Sequence, residues 1–225
     1  TFTSSQGLLL MIPTLYKLSG ERIPCVLHVA ARQVGSSGTS IYCDHSDVMS
    51  VRMCGLCQLS SGSVQEAMDL AAVAHAAAVR TSMPFMHFFD GFQSSHSVAT
   101  CDPIPYDKLR TLYDAADLRA FRATALDPAH PHQRGTITTR HDWMQMFESV
   151  TDAYERGVPA AVEDAMARVA ALTGRHYRLF DYAGAPDAEC VVVALGAGAL
   201  TVEEVVDDLV RDEGAKVGVL RVHLY

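Results

Sequence analysis

The chain lacks the features that mark several large classes of protein. Its 225 residues contain no apolar run of the roughly 18 uncharged residues that a membrane span needs, and no signal peptide is visible. Positive charge is not in excess, since 18 Lys and Arg stand against 26 Asp and Glu, for a net charge of −8. An acidic balance argues against nucleic acid or an anionic membrane as a partner. We therefore expect neither.

Cysteine is also too sparse for a disulfide framework, with six residues in the whole chain. Most of them lie in apolar runs, where a reduced thiol behaves as a small hydrophobic side chain. Cys54 and Cys57 have CxxC spacing, but no second CxxC accompanies them, and zinc or redox sites are disfavoured. We expect a reducing compartment and no metal site in this chain.

What the chain does have is an alternation of strand-like and helical segments. The predicted strands are 24–31, 40–43, 82–89, 190–196 and 216–224. The predicted helices are 5–20, 63–80, 152–172 and about 201–213, with short amphipathic helices across 102–126. Ser63 and Glu66 form a capping box, and Pro13 should kink the first helix or lie near its start. This alternation predicts an α/β fold with a mostly parallel sheet.

The last 50 residues or so are predicted to form a separate unit. Residues 179–189 resemble a linker, and one βαβ unit follows, with a turn at Gly196–Gly198 and a capping box of Thr201 and Glu204. A single βαβ unit cannot cover its own sheet, so we expect a second domain that is cut short. The turn fails the GxGxxG pattern because residue 201 is Thr. A tight turn without a ligand is favoured, with a non-catalytic nucleotide-binding module as the alternative.

Parallel sheets bind ligands at the carboxyl ends of their strands. Arg32, Asp44 and Asp90 are predicted to lie at such ends. A guanidinium is a planar, permanently charged fork that matches a carboxylate, and the small residues at 35–38 leave room for a small anion. The alternative is a structural arginine that pairs with a nearby loop acid.

The other polar candidates have simpler interpretations. Asp44, His45 and Asp47 resemble a ligand cluster, but a helix cap is favoured. His28 and His87 lie within predicted strands, and we expect core histidines bonded to backbone.

The loop at 125–136 is rich in proline and histidine. His130 and His132 flank Pro131 there. We expect both side chains to be solvated.

Several stretches together resemble one family of enzymes. They are TFTSSQGLLLMIP (1–13), PCVLHVAAR (24–32), DHSDVM (44–49), SVQEAMDLA (63–71), PFMHFFDGF (84–92), TGRHYRLFDYAGAPDAE (173–189) and KVGVLRVHLY (216–225). In order and spacing they resemble pyruvate:ferredoxin (flavodoxin) oxidoreductase, most weakly between residues 102 and 152. The resemblance implies oxidative decarboxylation of pyruvate to acetyl-CoA and CO₂, with electrons passed through iron–sulfur clusters to ferredoxin or flavodoxin.

The resemblance also implies a domain organisation. Residues 1–176 would be a truncated thiamine diphosphate-binding domain, a parallel sheet flanked by helices that contacts the pyrimidine half of the cofactor. Residues 177–225 would begin a second α/β domain. The family's activating glutamate and a threonine that contacts pyruvate would precede Thr1, and no glutamate of this chain matches. The diphosphate–Mg²⁺ site, the [4Fe–4S] cysteines and the coenzyme A site would lie in absent parts.

Arg32 matches the family's substrate-binding arginine, at the end of HVAAR. The resemblance therefore makes Arg32 the catalytic and substrate-binding candidate, with the task of holding the carboxylate of pyruvate. Thr3 and Ser5 are second-tier candidates for lining the same pocket, although helix capping explains them as well.

Several properties of the whole enzyme stay open at this point. The acceptor is ferredoxin, flavodoxin or, in a fusion relative with the same core, a flavin reductase module that reduces NADP. We expect a homodimer that is cytoplasmic in a bacterium, or located in a mitochondrion-related organelle, hydrogenosome or plastid in a eukaryote. The fragment alone should be inactive.

Overall fold

A parallel four-stranded sheet forms the first part of the molecule. The structure, a computed structural model, describes residues 1–38, 40–131 and 141–225. The strands of this sheet are β1 (Phe2–Thr3), β2 (Val26–Ala31), β3 (Cys57–Ser61) and β4 (Phe85–Asp90), in the order β1-β2-β4-β3. Every neighbouring pair is parallel, which confirms the predicted α/β class. All four carboxyl ends therefore lie at one edge.

Helices cover both faces of this sheet. The helices before the second sheet are α1 (Gln6–Leu9), α2 (Ile12–Gly20), α3 (Ser46–Ser50), α4 (Val64–Thr81), α5 (Tyr106–Leu109), α6 (Ala115–Ala123), α7 (Trp143–Glu148) and α8 (Val158–Thr173). Alternation along the strands separates two apolar clusters. Val26, Leu59 and Phe85 pack with residues of α4 and α8, whereas Val29 and Phe88 pack with residues of α1, α2 and α3. The result is a three-layer sandwich.

Local sequence signals explain the helix boundaries. Ser63 Oγ accepts the Glu66 N–H at 3.1 Å, as the predicted capping box requires, but the Glu66 carboxylate accepts the N–H of Gly62, one residue before the N-cap, at 2.6 Å. Pro13 lies in the first turn of α2, where its missing N–H costs nothing. The predicted helix 5–20 is accordingly two helices.

Two strand predictions in the first part were wrong. Residues 40–43 are not a strand; Ile41 and Tyr42 are exposed and precede α3 in a loop. The missing strand is β3, which was not predicted because its alternating polar residues gave no apolar pattern. Gln58, Ser60 and Ser61 are nevertheless all buried.

The C-terminal residues form a second sheet with one helix. Its strands are β5 (Phe180–Gly184), β6 (Cys190–Ala194) and β7 (Val217–Val222), and α9 (Ala197–Glu213) joins β6 to β7. Strands β6 and β7 are parallel, as the βαβ prediction requires. Strand β5 pairs antiparallel with β7, so the linker prediction for 179–189 was wrong. Gly196 is the N-cap of α9, which places Thr201 inside the helix and overturns its capping role.

The chain's last residues join the two sheets. His223 and Tyr225 pair with the free edge of β3, through Ser60 N–H to His223 O at 2.7 Å and Tyr225 N–H to Gln58 O at 2.9 Å. This pairing protects an edge that would otherwise expose unpaired backbone groups. The division into domains at residue 176 stays a prediction. Among the described helices, none is long and apolar enough to cross a membrane.

Candidate functional site

The candidate site begins with a buried carboxylate that ties two strand exits together. Asp47, in the first turn of α3, is fully buried. Its Oδ2 accepts the backbone N–H of Ser5 at 2.9 Å and of Arg32 at 3.0 Å, and its Oδ1 accepts its neighbour's N–H. Bonds from backbone N–H groups to an ionised acceptor are strong. Asp47 therefore fixes the backbone where β1 and β2 end.

Ser5 is held in an unusual conformation at this point. Its backbone has φ 50° and ψ −127°, although it is not glycine. Such conformations cost about 1–3 kcal/mol and persist only where the surroundings enforce them; here Asp47 does so. The Ser5 hydroxyl donates to Gln6 Oε1 at 2.6 Å. Thr3 Oγ1 lies under α1, because a Cβ at Gly7 would be 2.7 Å from it.

Arg32 leaves β2 as predicted, but none of the described residues accepts a hydrogen bond from its guanidinium Nε. The residue is half-buried, and its Nε is shielded from solvent without a hydrogen bond. Across the described parts of the chain, no acid forms an ion pair with it, so the structural pairing that the sequence left open is not observed. An unpaired buried donor normally costs about 1–3 kcal/mol. The side chain is thus placed to gain from an added anion.

Gly91 makes room for this side chain. It follows β4, and a Cβ there would lie 2.2 Å from Ala31 O and 2.9 Å from Arg32 Cγ. A side chain at position 91 would push the two strand ends apart. Gly91 also lines a cleft of about 350 Å³ with Tyr42, Cys43 and Phe92. We call the exits of β1 and β2, with Thr3, Ser5 and Arg32, the Arg32 edge.

The exits of β3 and β4, with Ser60, Gly62 and Asp90, form what we call the Asp90 edge. Asp90 Oδ2 accepts the Ala197 N–H at 2.9 Å, and Ser60 Oγ accepts the Gly196 N–H at 3.1 Å. The Gly196–Gly198 turn therefore uses its first N–H groups on the first sheet. Those donors are not free to bind a phosphate, in line with the predicted turn without a ligand.

His45 also belongs to the Asp90 edge. Its Nε2 lies 2.6 Å from Asp90 Oδ1. Burial lowers the pKa of His45, but the bonds to Asp90 and Cys43 outweigh this and raise the pKa to about 10. The His45 imidazole is therefore protonated at neutral pH.

The strand histidines bond to side chains, so the predicted backbone partners were wrong. His28 Nδ1 lies 3.0 Å from His87 Nδ1, His28 Nε2 lies 3.1 Å from His75 Nε2, and Ser61 Oγ lies 2.8 Å from His87 Nε2. Burial and the neighbouring imidazoles lower the pKa of His28 to about 4 and that of His87 to about 3. These rings are neutral members of the core.

The remaining candidates lie elsewhere. Asp44 does not end a strand, which corrects its predicted position; its Oδ1 accepts the Ser46 N–H at 2.9 Å at the start of α3. Cys54 and Cys57 are buried free thiols, and burial raises the pKa of Cys57 to about 12. His130 is exposed beside Asp127. His132 lies outside the described residues.

Sequence reasoning placed Arg32 at the edge but missed the residues that hold it there. Asp47 was considered only as part of a cap or ligand cluster, and Gly91 was not considered as a site residue. The signal for Asp47 was its place in the first turn of a helix, where an acid is common. Nothing local reveals that its partners lie 42 and 15 residues away.

Comparison with known proteins identifies relatives along the entire chain. Residues 1–167 match the family described as "Pyruvate flavodoxin/ferredoxin oxidoreductase, thiamine diP-bdg". The chain is 52% identical over its full length to the pyruvate:ferredoxin oxidoreductase of Moorella thermoacetica, and 47% identical to the pyruvate-flavodoxin oxidoreductase of Klebsiella pneumoniae, covering 19% of each. It is 46% identical to "Pyruvate dehydrogenase [NADP(+)]" of Cryptosporidium parvum, covering 12%.

A solved structure shares the fold. The 2-oxoglutarate:ferredoxin oxidoreductase from Magnetococcus marinus, with 2-oxoglutarate, coenzyme A and succinyl-CoA bound, superposes with a TM-score of 0.62 at 17% identity. The match covers all of this chain and 41% of that one. At this identity the likeness speaks for the fold alone. The chain spans about a fifth of the curated relatives named first.

Proposed function

Because the chain belongs to the pyruvate flavodoxin/ferredoxin oxidoreductase family, we propose that it is part of an enzyme that oxidatively decarboxylates pyruvate to acetyl-CoA and CO₂. The single observation that carries the role of this chain is the Arg32 guanidinium at the carboxyl edge of the sheet, whose buried Nε has no hydrogen-bond partner among the described residues. Arg32 holds the carboxylate of pyruvate through paired, charge-assisted hydrogen bonds. Thr3 and Ser5 line the same pocket.

The residues at the Arg32 edge fit a role beside thiamine diphosphate only in part. The family description names this cofactor, and an unpaired cation fits the substrate's acid group. The Asp47 carboxylate, which accepts the backbone N–H of Arg32, is already occupied by backbone N–H groups. We propose that the glutamate that activates the cofactor's pyrimidine ring, and the Mg²⁺–diphosphate site, come from residues outside this chain.

Arg32 and two residues that support it, Asp47 and Gly91, each have a defined task in the proposed reaction. When bound, thiamine diphosphate supplies the nucleophilic carbon that attacks a 2-keto group. Arg32 orients the keto carbon by gripping the adjacent carboxylate and compensates its charge, which are positioning and electrostatic contributions. Asp47 fixes the backbone that carries Arg32, and Gly91 leaves space for its side chain.

Coenzyme A, [4Fe–4S] clusters and ferredoxin or flavodoxin complete the proposed enzyme. The names of the bacterial relatives support ferredoxin or flavodoxin as the electron acceptor. We also propose a homodimer, a first domain of residues 1–176 and a second that begins at 177. A bacterial enzyme would be cytoplasmic; one eukaryotic relative, from Euglena gracilis, is named mitochondrial.

A second candidate is the enzyme type whose electrons end on NADP. The observation in its favour is that the Cryptosporidium parvum protein is 46% identical over the whole chain, which is within the range of the flavodoxin enzymes. The same Arg32 edge would serve both. Reduction of NADP by the complete polypeptide, without added ferredoxin, distinguishes them.

The experiment that tests the role of Arg32 compares variants of the complete polypeptide. Loss of a hydrogen bond to a charged group costs about 1.5–3 kcal/mol, so Arg32→Ala should lower kcat/KM for pyruvate by roughly 10- to 150-fold. Arg32→Lys should recover part of it, because a point charge replaces the fork. Arg52→Ala is the matched control, since Arg52 is exposed on the short helix after α3. Unchanged pyruvate kinetics in Arg32→Ala would refute the assignment.

A further inference from the structure

Three different metal-ligand side chains meet beneath the Gly196 turn. Cys43, His45 and Asp90 each place a ligand atom within 4.8 Å of those of the other two. Thiolate, imidazole and carboxylate are the three groups from which proteins build zinc sites. The set is not a chance group of exposed acids, because Asp90 is buried and the other two residues are half-buried.

Two of the three side chains are held in place by the fold. Asp90 ends β4, and its Oδ2 is bonded to the Ala197 N–H at 2.9 Å, which leaves Oδ1 aimed at His45. His45 has a left-handed backbone, with φ 61°, and its ring packs edge-on against Phe88 at 5.5 Å. In metal sites, a hydrogen bond to the atom of a ligand side chain that does not face the metal fixes the orientation of that side chain.

Gly196 closes the cluster on one side. A Cβ at this position would be 2.5 Å from Asp90 Oδ1 and 2.8 Å from His45 Cε1. Only glycine lets the turn approach the two ligands so closely, and its φ of 72° also favours glycine. Because these contacts shield the cluster from that direction, an ion would have to enter from the Cys43 side.

Cys43 borders an open space on that side. It lines the cleft of about 350 Å³ with Tyr42, Phe92 and Gln93. Three protein ligands beside an open position are typical of exchangeable or catalytic zinc, whereas structural zinc has four protein ligands. The His45 Nε2 to Asp90 Oδ1 separation of 2.6 Å would need to widen to about 3.3 Å, the spacing of ligands on tetrahedral zinc.

We propose that Cys43, His45 and Asp90 bind one zinc ion, with the fourth position open to the cleft, and that binding releases the protons of the Cys43 thiol and the His45 imidazolium to solvent. The proposal is independent of the function assigned to Arg32. The ion connects the loop before α3 to the end of β4 and, through the Asp90–Ala197 bond, to the start of α9. It replaces the direct His45–Asp90 contact as the link between these segments.

The experiment that tests the site measures maleimide labelling of individual cysteines in the complete polypeptide. Zn²⁺ at micromolar concentration should slow the labelling of Cys43 by about 10-fold or more, as expected when a thiolate is coordinated. Cys101 and Cys190 serve as internal controls, since neither belongs to a ligand cluster among the described residues. Mg²⁺ should give no protection, because it prefers oxygen ligands.

Variants distinguish coordination by this cluster from binding of zinc to any thiol. Asp90→Asn keeps an oxygen for the Ala197 N–H but weakens the metal ligand, and His45→Asn tolerates the left-handed backbone. Each should weaken protection by about 10-fold or more, and Cys43→Ser should lower bound zinc by one equivalent in dialysis. Unprotected Cys43 in the wild type would overturn the proposal even if every variant failed to fold. Protection that both variants retain would overturn it too.

Discussion

The Arg32 edge and the Asp90 edge lie side by side on one sheet but use their polar groups in opposite ways. At the Asp90 edge, Asp90 and Ser60 bond to the Gly196–Ala197 turn, and the nearby Glu66 pairs with Arg221 at 3.2 Å. At the Arg32 edge no described residue accepts a hydrogen bond from the guanidinium Nε. A polar residue at a strand exit is therefore not by itself evidence of a binding site. When other protein groups satisfy its hydrogen bonds, the residue is structural; when they do not, it can bind a ligand.

A pair of arginine substitutions gives the largest expected contrast. Arg175 forms two bonds, of 2.6 and 2.9 Å, with the fully buried Asp69, which also accepts from Tyr177 OH at 2.8 Å. Arg175→Ala would leave the buried Asp69 carboxylate without its ion-pair partner and should lower the free energy of unfolding by about 3–5 kcal/mol. Arg32→Ala removes a buried donor that lacks a partner, so it should leave the free energy of unfolding unchanged or raise it by up to about 1–3 kcal/mol.

Denaturant unfolding of both variants checks this contrast. The two proteins should differ in midpoint with similar slopes. Equal destabilisation would mean that Arg32 is a structural residue. The proposed difference between the two edges would then be wrong.

The next largest effect concerns the carboxylate that holds the Arg32 edge together. Asp47→Ala removes the acceptor of the Ser5 and Arg32 N–H groups, each bond being worth about 1.5–3 kcal/mol. We expect a loss of about 3 kcal/mol or more in the free energy of unfolding. Asp44→Ala, which removes one exposed hydrogen bond from the Ser46 N–H, should cost about 0.5–1.5 kcal/mol. Equal costs for the two would contradict the role of Asp47.

A smaller effect is expected where the two edges meet, at Gly91. Gly91→Ala places a methyl group 2.2 Å from Ala31 O and 2.9 Å from Arg32 Cγ. We expect a loss of about 1–3 kcal/mol in stability and a raised KM for pyruvate, because Arg32 is displaced. Gly198→Ala, with nothing within 4 Å, is the control and should be neutral or stabilising. Normal kinetics in Gly91→Ala would show that Arg32 does not depend on this packing.

The last contrast is one of pH dependence and separates the histidines of the sheet interior from the histidine of the Asp90 edge. His28 and His87 have folded-state pKa values of about 4 and 3, below the unfolded value of about 6.5. Between these values the unfolded chain binds more protons, so their contribution to stability is lost as pH falls below about 6.5. His45 has a folded pKa of about 10, so its contribution is present below about 6.5 and is lost as pH rises through 10.

Unfolding curves in metal-free buffer between pH 4 and 10 check these opposite slopes. His87→Asn should reduce the loss of unfolding free energy on the acid side of the pH profile. His45→Asn should reduce the loss on the alkaline side. If each substitution instead changed the slope on the other side, the two environments would be assigned the wrong way round.

The parts of the fold that could be predicted are those with local signals. The N-cap of α4, the break at Pro13 and the strand that ends at Arg32 all follow from neighbouring residues. Strand β3 could not be predicted in this way, because Ser60 and Ser61 look like loop residues until Gly196 and His87 supply their partners. Strand β5 was taken for a linker because it carries Asp181 and Gly184, and only pairing with β7 makes it a strand.

In the candidate site, too, only the features with a local sequence signal could be predicted. Arg32 was predicted from its position after an apolar strand and from a family resemblance. The unpaired state of its side chain, the clamp by Asp47 and the space left by Gly91 depend on contacts between distant segments. The metal-ligand cluster of Cys43, His45 and Asp90 likewise combines a loop with a strand end 45 residues away from His45.

The most direct test of the central claim is a crystal structure of the complete polypeptide with thiamine diphosphate and pyruvate. We expect both carboxylate oxygens of pyruvate within hydrogen-bond distance of the Arg32 guanidinium, with Nε no longer unpaired and the backbone N–H of Arg32 still bonded to Asp47. Pyruvate held by other groups, with the Arg32 side chain directed away from it, would show that Arg32 does not bind the substrate.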